Sequence, residues 1–216
     1  MSKYQEITEI TELFSEAITG NGISAVQFLM KTKEIVSSIR DVMFYKKIDT
    51  FINELETKNT DKRRMGELLA KSDYKEEYGF VLLKYIDDFE STVKGKFLAC
   101  LLDALSKEFI SVRDCFIYAR LLKDISLSGL LFIKGNISNR VFKEDIIFKE
   151  LQRYNLVYEA NEGGYAFEYT AYYLDKYALS YCNEKYKYNG EKDYIPSREK
   201  FPAKVSAIAV SQGEPY

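Results

Sequence analysis

Apolar residues recur at helical spacing through most of the first 135 positions. Ile7, Ile10, Phe14, Ala17 and Ile18 fall on one stripe and predict an amphipathic helix. Gly20-Asn21-Gly22 closes it, because Gly and Asn tolerate the left-handed cap conformation. Ser24 is placed to cap a second helix with Val26, Leu29, Met30, Val36 and Ile39 inward. The stripe runs on through Met43, Phe44, Ile48, Phe51, Ile52 and Leu55, with a break or new start near Asp41. After the polar joint Asn59-Thr60 a short helix holds Met65, Leu68 and Leu69 inside. Asp73 with Glu76 resembles a capping box, and the cleanest stripe follows: Tyr78, Val81, Leu82, Tyr85, Ile86 and Phe89. A further helix carries Val93, Phe97, Cys100, Leu101, Ala104 and Leu105. Ser111 with Asp114 starts another with Val112, Cys115, Ile117 and Leu121 inward, and Ser126 or Ser128 opens one ending near Gly135.

Beyond Gly135 the pattern changes. Phe142 to Tyr154 predicts a helix with Ile146, Ile147 and Leu151 on one face, and Leu156 to Glu159 predicts a strand. Asn161-Glu162-Gly163-Gly164 is a hairpin turn, since paired glycines supply positive φ, and Tyr165 to Tyr169 returns as the second strand. Thr170 is expected to cap a last helix with Tyr173, Leu174, Tyr177 and Ala178 inward. Past Cys182 the helical pattern fades into a polar segment with a brief apolar run at Val205 to Val210. The expected fold is therefore mainly α, with seven to nine helices. Residues 1–135 form a multi-helix bundle, 136–182 a small unit with one β-hairpin, and 183–216 a polar tail, partly disordered or docked.

The segment LQRYNLVYEANEGGYAFEYTAYYLDKYAL, residues 151–179, resembles the end of a winged-helix domain, in which a third helix precedes a two-stranded wing. That resemblance implies a helix for the DNA major groove and a wing for phosphate contact. SIRDVMFYKKIDTFINEL and FVLLKYIDDFESTVKGKFLACLLDAL resemble uncharacterised helical proteins of bacteria and their phages, many of which end in a similar winged-helix-like unit. This second likeness implies a role in phage–host or mobile-element conflict and carries no activity with it.

Charge bears on the first likeness. From Ile137 to Leu179 the cations are Arg140, Lys143, Lys149, Arg153 and Lys176, against seven acidic residues, and the wing tip carries Glu162. Affinity for DNA grows with the phosphates neutralised, so this unit is poorly charged for it. The whole chain is also slightly acidic, at −2. Arg140, Lys143, Lys149 and Arg153 would carry a nucleic-acid contact if there is one; a protein contact is the expectation the charges favour.

Histidine is absent, which removes the commonest general base near neutral pH and the commonest metal ligand. Asp87 and Asp88 are sequence neighbours on a helix, so they point apart and do not form a paired-carboxylate site. Asp61-Lys62-Arg63-Arg64 is the compact basic cluster, readable as a solvated first helical turn or as a hold for a phosphate or an acidic partner. Gly163-Gly164 lacks the strand–turn–helix setting and following Lys of a phosphate loop. No catalytic, metal or cofactor residue is identified, and a non-enzymatic chain is expected. Cys100, Cys115 and Cys182 are far apart, outside any CxxC pattern, and are expected as reduced thiols. The start, Met1 to Glu9, is polar rather than basic then apolar, which predicts a cytoplasmic protein.

Of 18 tyrosines, eight crowd into Tyr165, Tyr169, Tyr172, Tyr173, Tyr177, Tyr181, Tyr186 and Tyr188. Tyr offers large contact area at low entropic cost and is enriched where proteins meet. Tyr165, Tyr169, Tyr172 and Tyr173 are accordingly the candidate protein-binding residues. Another protein is the expected partner, with DNA the alternative and no membrane.

Overall fold

A computed structural model describes residues 3–20, 24–35, 39–75, 77–139, 146–160 and 164–181. Eight helices come first: α1 (Lys3–Thr19), α2 (Ala25–Ile35), α3 (Ile39–Thr57), α4 (Lys62–Ala70), α5 (Tyr78–Asp88), α6 (Thr92–Ser106), α7 (Val112–Asp124) and α8 (Leu127–Asn136). A short α9 (Phe148–Arg153) leads into the antiparallel hairpin β1 (Val157–Ala160) and β2 (Gly164–Phe167), which pairs Val157 with Phe167 and Glu159 with Tyr165. Then α10 (Tyr169–Leu174) runs into a π-helical turn, Asp175–Leu179. The chain is mainly helical with one small hairpin, as its periodicity predicts, though the ten α-helices among the described residues exceed the seven to nine expected.

The centre is α6. Twelve of its 15 residues are buried, and it packs against α3, α4, α7 and the π turn. A helix apolar on every side has nowhere to go but the interior. Gly95 lets α3 approach it closely, since a Cβ there would stand 3.1 Å from the Lys47 carbonyl oxygen. One buried cluster extends from Phe14 to Leu179, so the helices of 1–135 and the hairpin region share a core.

Side-chain caps set several helix starts. Ser24 and Gln27 bond reciprocally at the head of α2. Asp61 accepts from the Arg64 amide at 2.9 Å, Ser111 from Asp114 at 3.1 Å and Ser126 from Gly129 at 3.0 Å. Two expected starts fall elsewhere. The α5 helix begins at Tyr78 without a side-chain cap, while Asp73 lies in a turn and Glu76 lies outside the described residues. Thr170 sits inside the first turn of α10, whose N-cap position is Glu168.

Several inward assignments are also corrected. Val26 and Met30 are 66% and 61% exposed, because Phe28 takes the inner face of α2 and its ring meets Phe14 at 5.8 Å. Residues two apart on a helix diverge by about 200°, so seating Phe28 turns both neighbours out. Met43 faces out beside the partly buried Phe44, and Ile117 faces out beside the buried Cys115 and Phe116. The helix expected from Phe142 is described only from Phe148, with Ile146 in a turn and 94% exposed; residues 140–145 lie outside the described residues.

Cys115 is buried and free, with burial pushing its thiol up to about 12, whereas Cys100 is disulfide-bonded. The expectation of three reduced thiols is thereby overturned at Cys100. The tail, 183–216, lies outside the described residues.

Candidate protein-contact surface

The sequence-predicted tyrosines differ in what they pack against. Tyr165, on β2, lies against Phe148 with ring centroids 4.4 Å apart and lines the core. Tyr172 also packs on the core, and Tyr169 is half-buried near Tyr158. Tyr173 is different. Its ring lies parallel to that of Tyr177, at an interplanar angle of 1° with centroids 6.1 Å apart. Tyr173 lies in α10 and Tyr177 four residues on in the π turn, and Lys176 lies 5.3 Å from the centre of the Tyr177 ring.

A third tyrosine, from a distant part of the chain, lies within electrostatic reach of the pair. Burial pushes the Tyr118 hydroxyl of α7 well above its usual range, with Asp114, Tyr173 and Tyr177 close enough to add to the shift. Tyr118 and Tyr177 are partly buried against the core, Tyr173 stacks on Tyr177, and Asp114 and Lys176 stand close by. Next to Tyr118, Ile117 is 43% exposed. The sequence offered no local signal for Tyr118, because it reaches the C-terminal tyrosines only through packing.

The basic candidates divide. Lys149 and Arg153 are exposed, one turn apart on α9, while Arg140 and Lys143 lie outside the described residues. Between them on α9, Glu150 turns to α8, accepting from the Ser126 amide at 2.6 Å and hydroxyl at 2.7 Å. It thereby caps α8 alongside Ser126 itself.

The remaining charged motifs are engaged in the fold. Lys62 pairs with Glu56, Arg63 with Glu67 at 3.4 Å, and Arg64 with both Glu67 at 3.1 Å and Glu108 at 2.6 Å. Asp88 pairs with Lys84, and the Asp87 carbonyl accepts from buried Lys47 at 2.6 Å. Burial pushes Glu90 up, but hydrogen bonds from Lys94 and the Leu127 amide outweigh it and leave the carboxyl below its usual range. Among the described residues no group of three or more acids or cysteines is arranged to hold a metal, and no helix is long and apolar enough to cross a membrane.

Comparison with protein-family models, with curated proteins and with solved structures gives no match.

Proposed function

We propose that this chain is a non-enzymatic protein-interaction or regulatory module of the cytoplasm, acting in phage–host or mobile-element conflict and engaging another protein through its tyrosine face. The observation that carries the reading is the stacked Tyr173–Tyr177 pair, with Lys176 beside the Tyr177 ring. Such a face combines broad apolar area with hydroxyls at its edge, the composition that dominates binding energy where proteins meet. In this reading α9 and the hairpin form a winged-helix-like unit that serves as scaffold for the contact. Affinity capture from the native host, with and without phage infection, tests it. A partner retained by the wild type and lost from a folded Tyr173→Ser supports the reading; recovery of no partner in either state counts against it.

A second reading, a DNA-binding winged-helix regulator, draws on Lys149 and Arg153. Because Glu150 is drawn inward to Ser126, the outer side of α9 presents these two cations without that neighbouring anion. The test is a gel shift at low and high salt, since phosphate contacts weaken steeply as salt rises. Absence of salt-dependent binding to any duplex removes this reading.

A further inference from the structure

We propose that Glu168, with Tyr158 and Tyr169 beside it where the hairpin runs into α10, is a site for the arginine side chain of a partner polypeptide.

Hairpin pairing brings the three residues together. Tyr158 on β1 is paired with Ala166 on β2. Two residues along, the Glu168 amide donates to the Leu156 carbonyl at 2.9 Å, and the backbone at Glu168 is still extended, at φ −76° and ψ 160°. Side chains two apart on an extended strand share a side, so Glu168 is the diagonal neighbour of Tyr158. Tyr169 follows directly and opens α10. The Tyr158 hydroxyl lies within electrostatic reach of both the Glu168 carboxylate and Tyr169.

The fold supplies no counter-charge here. Among the described residues no hydrogen bond or ion pair reaches the Glu168 carboxylate, and it makes no capping bond to α10, although it holds the N-cap position. It is half-buried, and burial holds it above its usual range. Asp103, Glu150 and Asp175, by contrast, each accept a hydrogen bond. From Tyr154 to Asp175 the chain carries Glu159, Glu162, Glu168 and Asp175 and no Lys or Arg. A partly desolvated anion without a cation is unfavourable, so the complementary ligand is positive. A guanidinium suits it best: its planar fork meets a carboxylate through two parallel hydrogen bonds, and its face stacks on aromatic rings. Tyr169 stands one turn before Tyr173, so the site adjoins the tyrosine face. The inference does not rest on that face, since a small arginine derivative tests it directly.

The test is an NMR titration of the full chain, labelled at its glutamate carboxyls, with N-acetylarginine amide at matched ionic strength. N-acetylcitrulline amide, similar in shape but uncharged, is the control. The arginine derivative should give saturable shifts at Tyr158 and Glu168, and should move the Glu168 carboxyl titration downward by about one pH unit. A folded Glu168→Gln should weaken binding by about tenfold or more, because it removes a charged hydrogen-bond acceptor. Tyr173→Ser should leave it unchanged. No saturable shift, equal shifts from the citrulline derivative, binding retained by Glu168→Gln, or binding lost from Tyr173→Ser would overturn the proposal. The wild-type carboxyl titration decides the matter even if Glu168→Gln fails to fold.

Discussion

The ammonium of Lys94, fully buried in α6, donates to the main-chain carbonyl of Ile125, which follows the last residue of α7. It also reaches the Lys123 carbonyl at 3.4 Å and Glu90 at 2.8 Å, while Glu90 accepts from the Leu127 amide at the start of α8. One cation thus closes the end of α7 and holds the acid that meets the start of α8. Lys94→Met should cost about 2–3 kcal/mol, because carbonyls at a helix end lose their donor in a buried setting. Urea denaturation measures it. A loss below roughly 0.5 kcal/mol would mean the carbonyls find water instead.

Gly79 marks where α5 crosses α1. A Cβ there would stand 1.9 Å from Ser15 Oγ, which donates to the Thr11 carbonyl at 2.9 Å. Gly79→Ala should destabilise by about 1–3 kcal/mol through overpacking. Adding Ser15→Ala removes the clashing oxygen, so the double variant should recover more than half of that loss. Additive losses would show that the helices separate rather than clash locally.

What was legible in the sequence follows from what is local. Helix existence, the caps at Ser24, Ser111 and Ser126, the close of α1 at Gly20 and the hairpin all depend on residues a few positions apart. Facing was misjudged where apolar residues fall on more than one side of a helix, as at Val26, Phe28 and Met30, since periodicity then fixes no single face. The central place of α6 was signalled by FLACLLDAL, a run too apolar to leave a solvent side. Tyr118 near Tyr173, Glu150 on Ser126 and the Tyr181 hydroxyl donating to Asp103 were not legible, because each joins residues 24 or more positions apart.

Burial pushes the Asp175 carboxyl up to about 6 from 3.8, with the Ser180 hydroxyl bond at 2.8 Å and Lys134 restraining it only in part. Between about pH 4 and pH 6 the folded chain therefore keeps a proton at this site that the unfolded chain has released. Its contribution is greatest below pH 4 and is lost as pH rises through 6, on the order of 3 kcal/mol in all. Asp175→Asn should flatten this segment and be the more stable protein at pH 7. Glu90, held below its usual range, acts oppositely toward acid, so the quantity to measure is the difference between variant and wild type at pH 4.5, 5.5 and 7. A difference independent of pH would show that Asp175 is hydrated.

The tyrosine face yields the prediction that separates contact from support. Tyr173 is half-buried and stacks on Tyr177, whereas Tyr165 lies on Phe148 and lines the core. Replacing Tyr165 by Ser should lower stability by about 2 kcal/mol or more through lost packing, and affect binding only as far as it unfolds the chain. Tyr173→Ser should cost less than about 1 kcal/mol in stability yet weaken partner binding tenfold or more, as expected where an aromatic anchors a contact. Thermal melts and titration calorimetry on the same preparations distinguish the two positions. If Tyr173→Ser unfolds the protein as readily as Tyr165→Ser, the Tyr118–Tyr173–Tyr177 face belongs to the core, and the site of any protein contact must be sought elsewhere.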